Sequence, residues 1–199
     1  MIRDLAPHLP AGVHLVPGHP IGGTEFSGPD AGFAEKFEKR FGLLTPLADT
    51  PTDDVARVAE MWATRAMTIE MMNAEHRDWV LAITSHLPHL IAYTIVGTAT
   101  QLGADLKEKV FRCSASGSRD LTRIAASDPT MWRDVLLNNR EAVLDVVERF
   151  NEDFGRMQAA VRAGDGVALY EWFRKTGAIR RAIAGEQQHL PEEGKRRKE

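Results

Sequence analysis

Apolar and polar positions alternate differently in the two parts of this chain. Over residues 1–72, short apolar runs of the kind found in strands alternate with polar loops and helical repeats. Over residues 73–186, apolar side chains recur every three or four positions, which is the spacing of helices packed on a core. Residues 187–199 are almost entirely polar and are expected to be disordered. We therefore predict an α/β region, an all-α region and a tail, with a mostly helical chain overall.

The first region predicts three strands that alternate with two helices. Val13, Leu15 and Val16 indicate a strand of the buried, parallel type, and this strand should end at His19. The other predicted elements are a short helix marked by Phe33 and Phe37, a strand at 42–46, a helix at 52–63 and a strand at 67–72. Three strands need neighbours, so we interpret this region as the end of a larger Rossmann-type domain.

The second region predicts a succession of helices. Asn73 is a suitable N-cap for the first helix, which should end near Gly103. Asp128 followed by Pro129 is a strong helix start, and the apolar stripe behind this pair continues to Gly164. We expect the stripe to form a single long helix whose apolar face is covered by a second subunit. Further helices are expected at about 105–113, 118–126 and 167–184.

One predicted helix carries polar residues among its apolar ones. In residues 84–90, which read TSHLPHL, Pro88 cannot donate to the carbonyl four positions back, so the helix should bend. Ser85, His86 and His89 can share one face near this bend. A single histidine here would most simply be a satisfied core residue. Two histidines and a serine beside a proline favour a pocket for a polar ligand.

A second candidate site follows the first predicted strand. His19 precedes Pro20, Gly22 and Gly23, and open α/β sheets hold their ligands at the carboxyl ends of strands. An ordinary turn is the alternative, since Gly and Pro are common turn residues.

Composition and charge exclude several classes of function. The 25 basic and 28 acidic residues give a net charge of -3, which offers no electrostatic argument for nucleic acid or a membrane surface. The lone Cys113 excludes an intramolecular disulfide and fits a reducing cytoplasm. No signal peptide or membrane span is expected. No metal site is expected either, because no acidic residue accompanies His86 and His89 at ligand spacing.

Three segments form a set that carries a resemblance. They are HPIGGTEFSG at 19–28, TSHLPHL at 84–90 and RDLTRIAASDPTMWRD at 119–134. Together they resemble the prephenate and arogenate (cyclohexadienyl) dehydrogenases of tyrosine biosynthesis. The resemblance implies a dinucleotide-binding domain, an all-helical domain that forms homodimers, and an active site between the two. It implies that this chain lacks most of the dinucleotide-binding domain, binds its cofactor weakly and is inactive alone.

The implied reaction is the oxidative decarboxylation of a cyclohexadienyl substrate, with NAD or NADP as hydride acceptor. His19 matches the family's catalytic histidine, which would take the proton of the ring hydroxyl. Arg123 matches the arginine that binds a substrate carboxylate, for which a two-donor guanidinium is well suited. A structural ion pair with Asp128 is the alternative for Arg123. The choice between prephenate and arogenate, and between NAD and NADP, stays open.

Other residues match family positions around the substrate, the neighbouring subunit and the cofactor. The resemblance implies substrate binding and orientation by Ser85, His86 and His89, a close backbone approach at Gly117, a contact with the neighbouring subunit's site by Asp120, and cofactor contact at Gly22 and Gly23. An exposed helix carboxylate is the alternative for Asp120, and a plain loop glycine is the alternative for Gly117.

A function of a different class is also open. The sequence contains no glycine-rich phosphate loop, and such loops bind the pyrophosphate of a dinucleotide. A non-catalytic, dimeric module that binds prephenate-like or aromatic carboxylates is therefore the alternative to the dehydrogenase.

Overall fold

A computed structural model of the chain describes residues 2–22, 28, 32–101, 112 and 115–186. In this part of the chain, a small three-stranded sheet with its connections precedes a set of packed helices. The mostly helical, two-part architecture confirms the fold class that the sequence predicts.

The sheet has the strand order β1 (Gly18–Pro20), β2 (Phe41–Leu44), β3 (Thr68–Met71). β2 lies in the centre, antiparallel to β1 and parallel to β3. Its Leu43 and Leu44 are buried and provide the core of this region. A short helix α1 (Ile2–Leu5) precedes the sheet, a 3-10 turn at Ala34–Phe37 precedes β2, and α2 (Thr52–Ala63) joins β2 to β3.

The first strand differs from its prediction in both position and direction. Val13 is 50% exposed, and its N–H donates to Pro10 O in a turn where Gly12 has φ +80°. The carbonyl of Leu15 accepts from the Thr50 hydroxyl instead of from a neighbouring strand. Residues 13–16 therefore form a connection, and the strand begins only at Gly18. Because β1 pairs with β2 in antiparallel fashion, the prediction of a parallel first strand was wrong.

The helical region begins with α3 (Ala74–Leu81), a π-turn (Ala82–His86) and α4 (Leu87–Gln101). It continues with α5 (Ser116–Arg123), a 3-10 turn (Ile124–Ala126), α6 (Pro129–Asn138), α7 (Arg140–Ala163) and α8 (Gly166–Glu186). The hydrophobic core of this region joins the π-turn and α4 to α7. Its buried members are Ala82, Leu87, Ala142, Val143 and Val146.

Local start and stop signals act as predicted. The Asn73 side chain accepts from His76 N at 2.7 Å, and the Asp128 side chain accepts from Met131 N at 2.7 Å, so each caps its helix. Gly164 ends α7 in the left-handed conformation, with φ +65°.

The single long helix predicted behind Pro129 is wrong. The helix is interrupted at Asn139, where φ is -115° and ψ is 32°. The apolar stripe is therefore divided between α6 and α7. The helix predicted at 105–113 and the tail at 187–199 lie outside the described residues, apart from Arg112.

One apolar stretch meets the length and composition of a membrane span. It covers Ala74–Gln101, with a mean hydropathy of 1.4 over its most apolar window. Its residues Ala82 and Leu87 belong to the hydrophobic core, and a π-turn with the buried His86 interrupts it. Part of this stretch therefore belongs to the hydrophobic core of the helical region.

Candidate active site

The predicted bend at Pro88 takes the form of a π-turn. Proline has no N–H, so an α-helical bond from Pro88 to Thr84 O cannot form. Directly before Pro88, the hydrogen-bonding pattern changes from four to five residues. The N–H of Leu87 donates to Ala82 O, five positions back. π-turns are rare and often occur at functional sites. This one contains Ser85 and His86 and directly precedes the turn that carries His89.

His86 is a buried histidine that other side chains hold in place. It is 6% exposed, and its Nδ1 lies 3.1 Å from Asn139 Nδ2. Its ring meets Trp132 edge to face, with centroids 6.2 Å apart. Burial lowers the pKa of His86; the nearby Asp78 carboxylate opposes this shift, whereas charge on His19 or His89 adds to it. The ring is therefore neutral near pH 7.

His89 contacts the same tryptophan as His86. It stacks on Trp132 with centroids 3.4 Å apart and ring planes at 20°. Its Nδ1 lies 2.8 Å from Ser85 O. Desolvation lowers the pKa of His89, and the bond to the Ser85 carbonyl partly offsets this shift. Ser85 therefore contributes its backbone carbonyl to the site geometry.

His19 comes from the sheet region and is held by backbone alone. It is the middle residue of β1, opposite Leu43 of β2. Its side chain is exposed, and among the described residues its ring has no hydrogen-bond partner. Partial desolvation lowers the pKa of His19, and the positive charge of Arg77 lowers it further. Arg77 in turn forms an ion pair with Asp78, with Nε 2.9 Å from Oδ1.

An electrostatic interaction links the histidine of the sheet region to those of the helical region. Charge on His19 lowers the pKa of His86, so the two rings are close enough to interact electrostatically. The structure thus gathers His19, His86 and His89, which the sequence placed in two separate candidate sites. Three neutral imidazoles in one place can accept or donate protons near neutral pH.

The remaining candidates for the substrate lie on α5. Gly117, Asp120 and Arg123 are exposed there, and α5 packs against α4, the helix that follows the π-turn. A Cβ added at Gly117 would meet no atom within 4 Å, so space is open beside its backbone.

The described residues do not fit the pyrophosphate of a dinucleotide. A Cβ on Gly22 would lie 3.0 Å from Lys36 O and 3.1 Å from Phe37 Cδ1, so this glycine packs closely against the chain itself. The first turn of α2 contains Asp53 and Asp54, whose negative charges disfavour a phosphate at the positive end of this helix. Gly23 lies outside the described residues. Within the described ranges, no group of three or more metal-ligating side chains is present.

Sequence reasoning missed Trp132 and Asn139. The Trp132 side chain is 8% exposed, and its Nε1 is the one buried side-chain nitrogen or oxygen without a hydrogen-bond partner in the part of the chain that the structure describes. The sequence marked Trp132 only as a member of an apolar stripe. A buried donor without a partner, packed between two histidines, is a feature that tertiary contacts alone reveal.

Two family models match the sequence. The prephenate dehydrogenase dimerization domain matches residues 52–175, and the prephenate dehydrogenase nucleotide-binding domain matches residues 1–71.

The chain is also similar to curated proteins of this family. It is 42% identical over 183 residues to the cyclohexadienyl dehydrogenase of Zymomonas mobilis, covering 92% of this chain and 62% of that protein. It is 35% identical over 167 residues to the prephenate dehydrogenase of Bacillus subtilis, covering 83% of this chain and 44% of that protein. The chain therefore spans roughly half of the length of these relatives.

Solved structures show the same fold. Prephenate dehydrogenase from Aquifex aeolicus, in complex with hydroxyphenyl propionate and NAD+, superposes with a TM-score of 0.76 at 32% identity, covering 84% of this chain and 58% of that chain. Synechocystis arogenate dehydrogenase has a TM-score of 0.75 at 19% identity, covering 86% of this chain and 62% of that chain.

Proposed function

Because this chain belongs to the prephenate dehydrogenase family, we propose that it provides the substrate side of a prephenate or arogenate dehydrogenase of tyrosine biosynthesis. The observation that carries the proposal is the electrostatic interaction of His86 with His19 and His89, three histidines whose pKa values are all lowered by burial. We place the protein in the cytoplasm, which the lone Cys113 fits.

His19 is proposed as the general base. The reaction class needs a group that accepts the proton of the ring hydroxyl as the ring carbon is oxidised. A neutral imidazole suits this role, and the lowered pKa of His19 keeps it neutral near pH 7. Because its ring has no hydrogen-bond partner in the described ranges, either ring nitrogen is available to a hydroxyl.

The substrate's carboxylates are assigned to the helical region. Arg123 is proposed to bind one carboxylate through its planar guanidinium, and open space beside Gly117 leaves room for the substrate near α5. Ser85, His86 and His89 are proposed to orient the ring. Asp120, exposed on α5, is proposed to contact the site of a second subunit.

The hydride acceptor of this reaction class is NAD or NADP. The match of residues 1–71 to a nucleotide-binding domain supports a nicotinamide dinucleotide. Gly22 and Gly23 are candidate contacts by the family resemblance alone, since Gly22 packs closely against Lys36 and Phe37. Because the described residues do not form a pyrophosphate site, we expect this chain by itself to bind either cofactor weakly.

A second copy of the chain is proposed to cover the outer face of α7 and α8. The match to a dimerization domain supports a homodimer. Large apolar side chains on these two helices are more than 40% exposed, which is unusual for a soluble monomer. They are Leu144, Phe154, Val161, Val167, Tyr170, Phe173, Ile179 and Ile183.

The dimer is tested by placing a charge in this face. Phe173→Glu should weaken association by about a hundredfold or more, because a carboxylate would be buried at the interface without a partner. Sedimentation equilibrium of the wild type and the variant measures this change. Arg57→Glu is the control, because Arg57 is exposed on α2, away from α7 and α8. A monomeric wild type would overturn the proposed dimer.

The alternative function is a non-catalytic, dimeric module that binds prephenate-like or aromatic carboxylates. The absence of a pyrophosphate site from the described residues favours it. This module would use the same histidines and Arg123 for binding but would carry out no hydride transfer.

Calorimetry and a turnover assay separate the two functions. The purified chain is titrated with prephenate, arogenate, NAD+ and NADP+, and turnover is followed by the absorbance of the reduced nicotinamide. Turnover that His19→Gln abolishes, and that the exposed His8→Gln leaves unchanged, supports the dehydrogenase and contradicts the expectation that the chain is inactive alone. Substrate binding without cofactor binding or turnover supports the module. Binding of neither prephenate nor arogenate would contradict both proposals.

A further inference from the structure

Asn139 lies at the break between α6 and α7, where an asparagine ordinarily caps the following helix. In an N-cap, the side-chain oxygen accepts from a backbone N–H of the first turn. Asn139 occupies this position for α7, but its side chain makes no capping hydrogen bond. Asp128, in the same position for α6, does cap its helix. The Asn139 side chain is therefore directed elsewhere.

The amide nitrogen of Asn139 joins two distant groups. Its Nδ2 lies 2.9 Å from Asp78 O and 3.1 Å from His86 Nδ1. A backbone carbonyl can only accept a hydrogen bond, so the amide group that faces it must be the NH2. Rotation of the amide by 180° would place two oxygens against each other. The bond to Asp78 thus determines which way the amide of Asn139 points.

The orientation of this amide determines the proton position on His86. The NH2 group has two hydrogens, one for Asp78 O and one for His86 Nδ1. His86 Nδ1 must then be the acceptor, and a neutral His86 ring carries its proton on Nε2.

His89 has the opposite arrangement. Its Nδ1 faces the Ser85 carbonyl, which is an acceptor, so Nδ1 carries the proton and Nε2 holds a lone pair. Two histidines three residues apart therefore present a donor and an acceptor, respectively. In the part of the chain that the structure describes, neither Nε2 has a hydrogen-bond partner.

We propose that Asn139 is a positioning residue that holds His86 in the Nε2–H tautomer, so that His86 donates a hydrogen bond to a carboxylate or carbonyl oxygen of the substrate. The tautomer follows from the contacts alone, whereas the donor role rests on the proposed function. The burial that lowers the pKa of His86 keeps the ring in this neutral form.

The tautomer is tested by nitrogen NMR of the full chain with ¹⁵N-labelled histidine rings. The wild type should show His86 protonated at Nε2 only and His89 protonated at Nδ1 only. Spectra of His86→Gln and His89→Gln assign the signals. A His86 ring protonated at Nδ1 in the wild type would overturn the proposal.

Asn139→Ala tests whether this asparagine is the cause. The His86 signals should move towards a mixture of tautomers. The matched control is Asn138→Ala, because the Asn138 amide donates to Asp134 O on the exposed side of α6 and does not touch His86. If Asn139→Ala does not fold, Asn139→Asp decides, since a carboxylate only accepts hydrogen bonds and should favour the His86 tautomer that carries its proton on Nδ1. An unchanged His86 signal in the folded variant contradicts the proposal.

Titration with prephenate tests the donor role. Asn139→Ala should weaken prephenate binding by about tenfold, the worth of one hydrogen bond to a charged group, and Asn138→Ala should bind like the wild type. If no histidine signal of the wild type responds to prephenate, the proposed function fails and the tautomer result is unaffected. If prephenate binds wild type and Asn139→Ala equally, the donor role is wrong.

Discussion

The histidines of the candidate site are held in two different ways. His19 sits on a three-residue strand, is exposed, and has only backbone pairing to position it. His86 and His89 sit in and beside a π-turn, where Asn139, Ser85 and Trp132 restrain both rings. The sheet region thus supplies a ring that only backbone pairing positions, whereas contacts in the helical region fix the proton positions of its two rings.

The largest expected effect is a difference in the free energy of unfolding between a truncation in the helical region, at Trp132, and one in the sheet region, at His19. Trp132→Ala removes a buried side chain that packs on both helical histidines, and should lower the free energy of unfolding by about 3–5 kcal/mol. His19→Ala removes an exposed side chain and should change it by less than about 0.5 kcal/mol. Urea unfolding of both variants measures the difference. Equal losses would mean that His19 is restrained as firmly as its partners.

Acid should destabilise the protein through these histidines. Their pKa values are lower in the folded chain than the ordinary value of about 6.5, so the unfolded chain binds more protons as the pH falls. The free energy of unfolding should therefore decrease as the pH drops below about 6.5.

Variants distinguish the two regions in acid. The decrease in the free energy of unfolding between neutral and acidic pH should be smaller in both variants than in the wild type. The reduction should be greater for His86→Gln than for His19→Gln, because His86 is the more buried ring. Unfolding curves from about pH 7.5 to about pH 5.5 measure this loss. Stability that is independent of pH in this range would show that burial does not oppose protonation of the rings.

Asp128 and Asn139 occupy the same helix position but are used differently. Asp128→Ala removes a cap and should lower the free energy of unfolding by about 1 kcal/mol, with no change in the NMR signals of His86. Asn139→Ala should change those signals without removing a cap. Urea unfolding together with the histidine spectra measures both effects. A changed His86 signal in Asp128→Ala would show that the N-terminus of α6 also positions the His86 ring.

The smallest expected effect concerns the charge beside His19. Arg77→Ala removes a positive charge and should raise the pKa of His19 towards its ordinary value. It also frees Asp78, whose carboxylate already raises the pKa of His86, so that value should rise as well. NMR titration of the labelled rings measures both, with Arg57→Ala as the control. No change at His19 would place Arg77 too far away to act on it.

The sequence predicted most of the elements that local signals define. Helix 52–63 has the predicted bounds, the caps at Asn73 and Asp128 form, and α7 ends at Gly164. The resemblance carried by three segments is confirmed at the level of the family and of a mostly helical fold. The boundaries of the regions stay predictions. So do the roles of all the site residues, which are His19, Ser85, His86, His89, Gly117, Asp120, Arg123, Gly22 and Gly23.

Caps and turn residues determined by themselves the starts of α3 and α6 and the end of α7, because each acts through bonds between residues a few positions apart. Tertiary packing decided the position and direction of β1. It also decided the proton positions of the two helical histidines, since Asn139 lies 61 residues from Asp78 and 53 from His86. The partners of the Asn139 amide are distant in sequence and become neighbours only on folding, so the local sequence around Asn139 does not predict them.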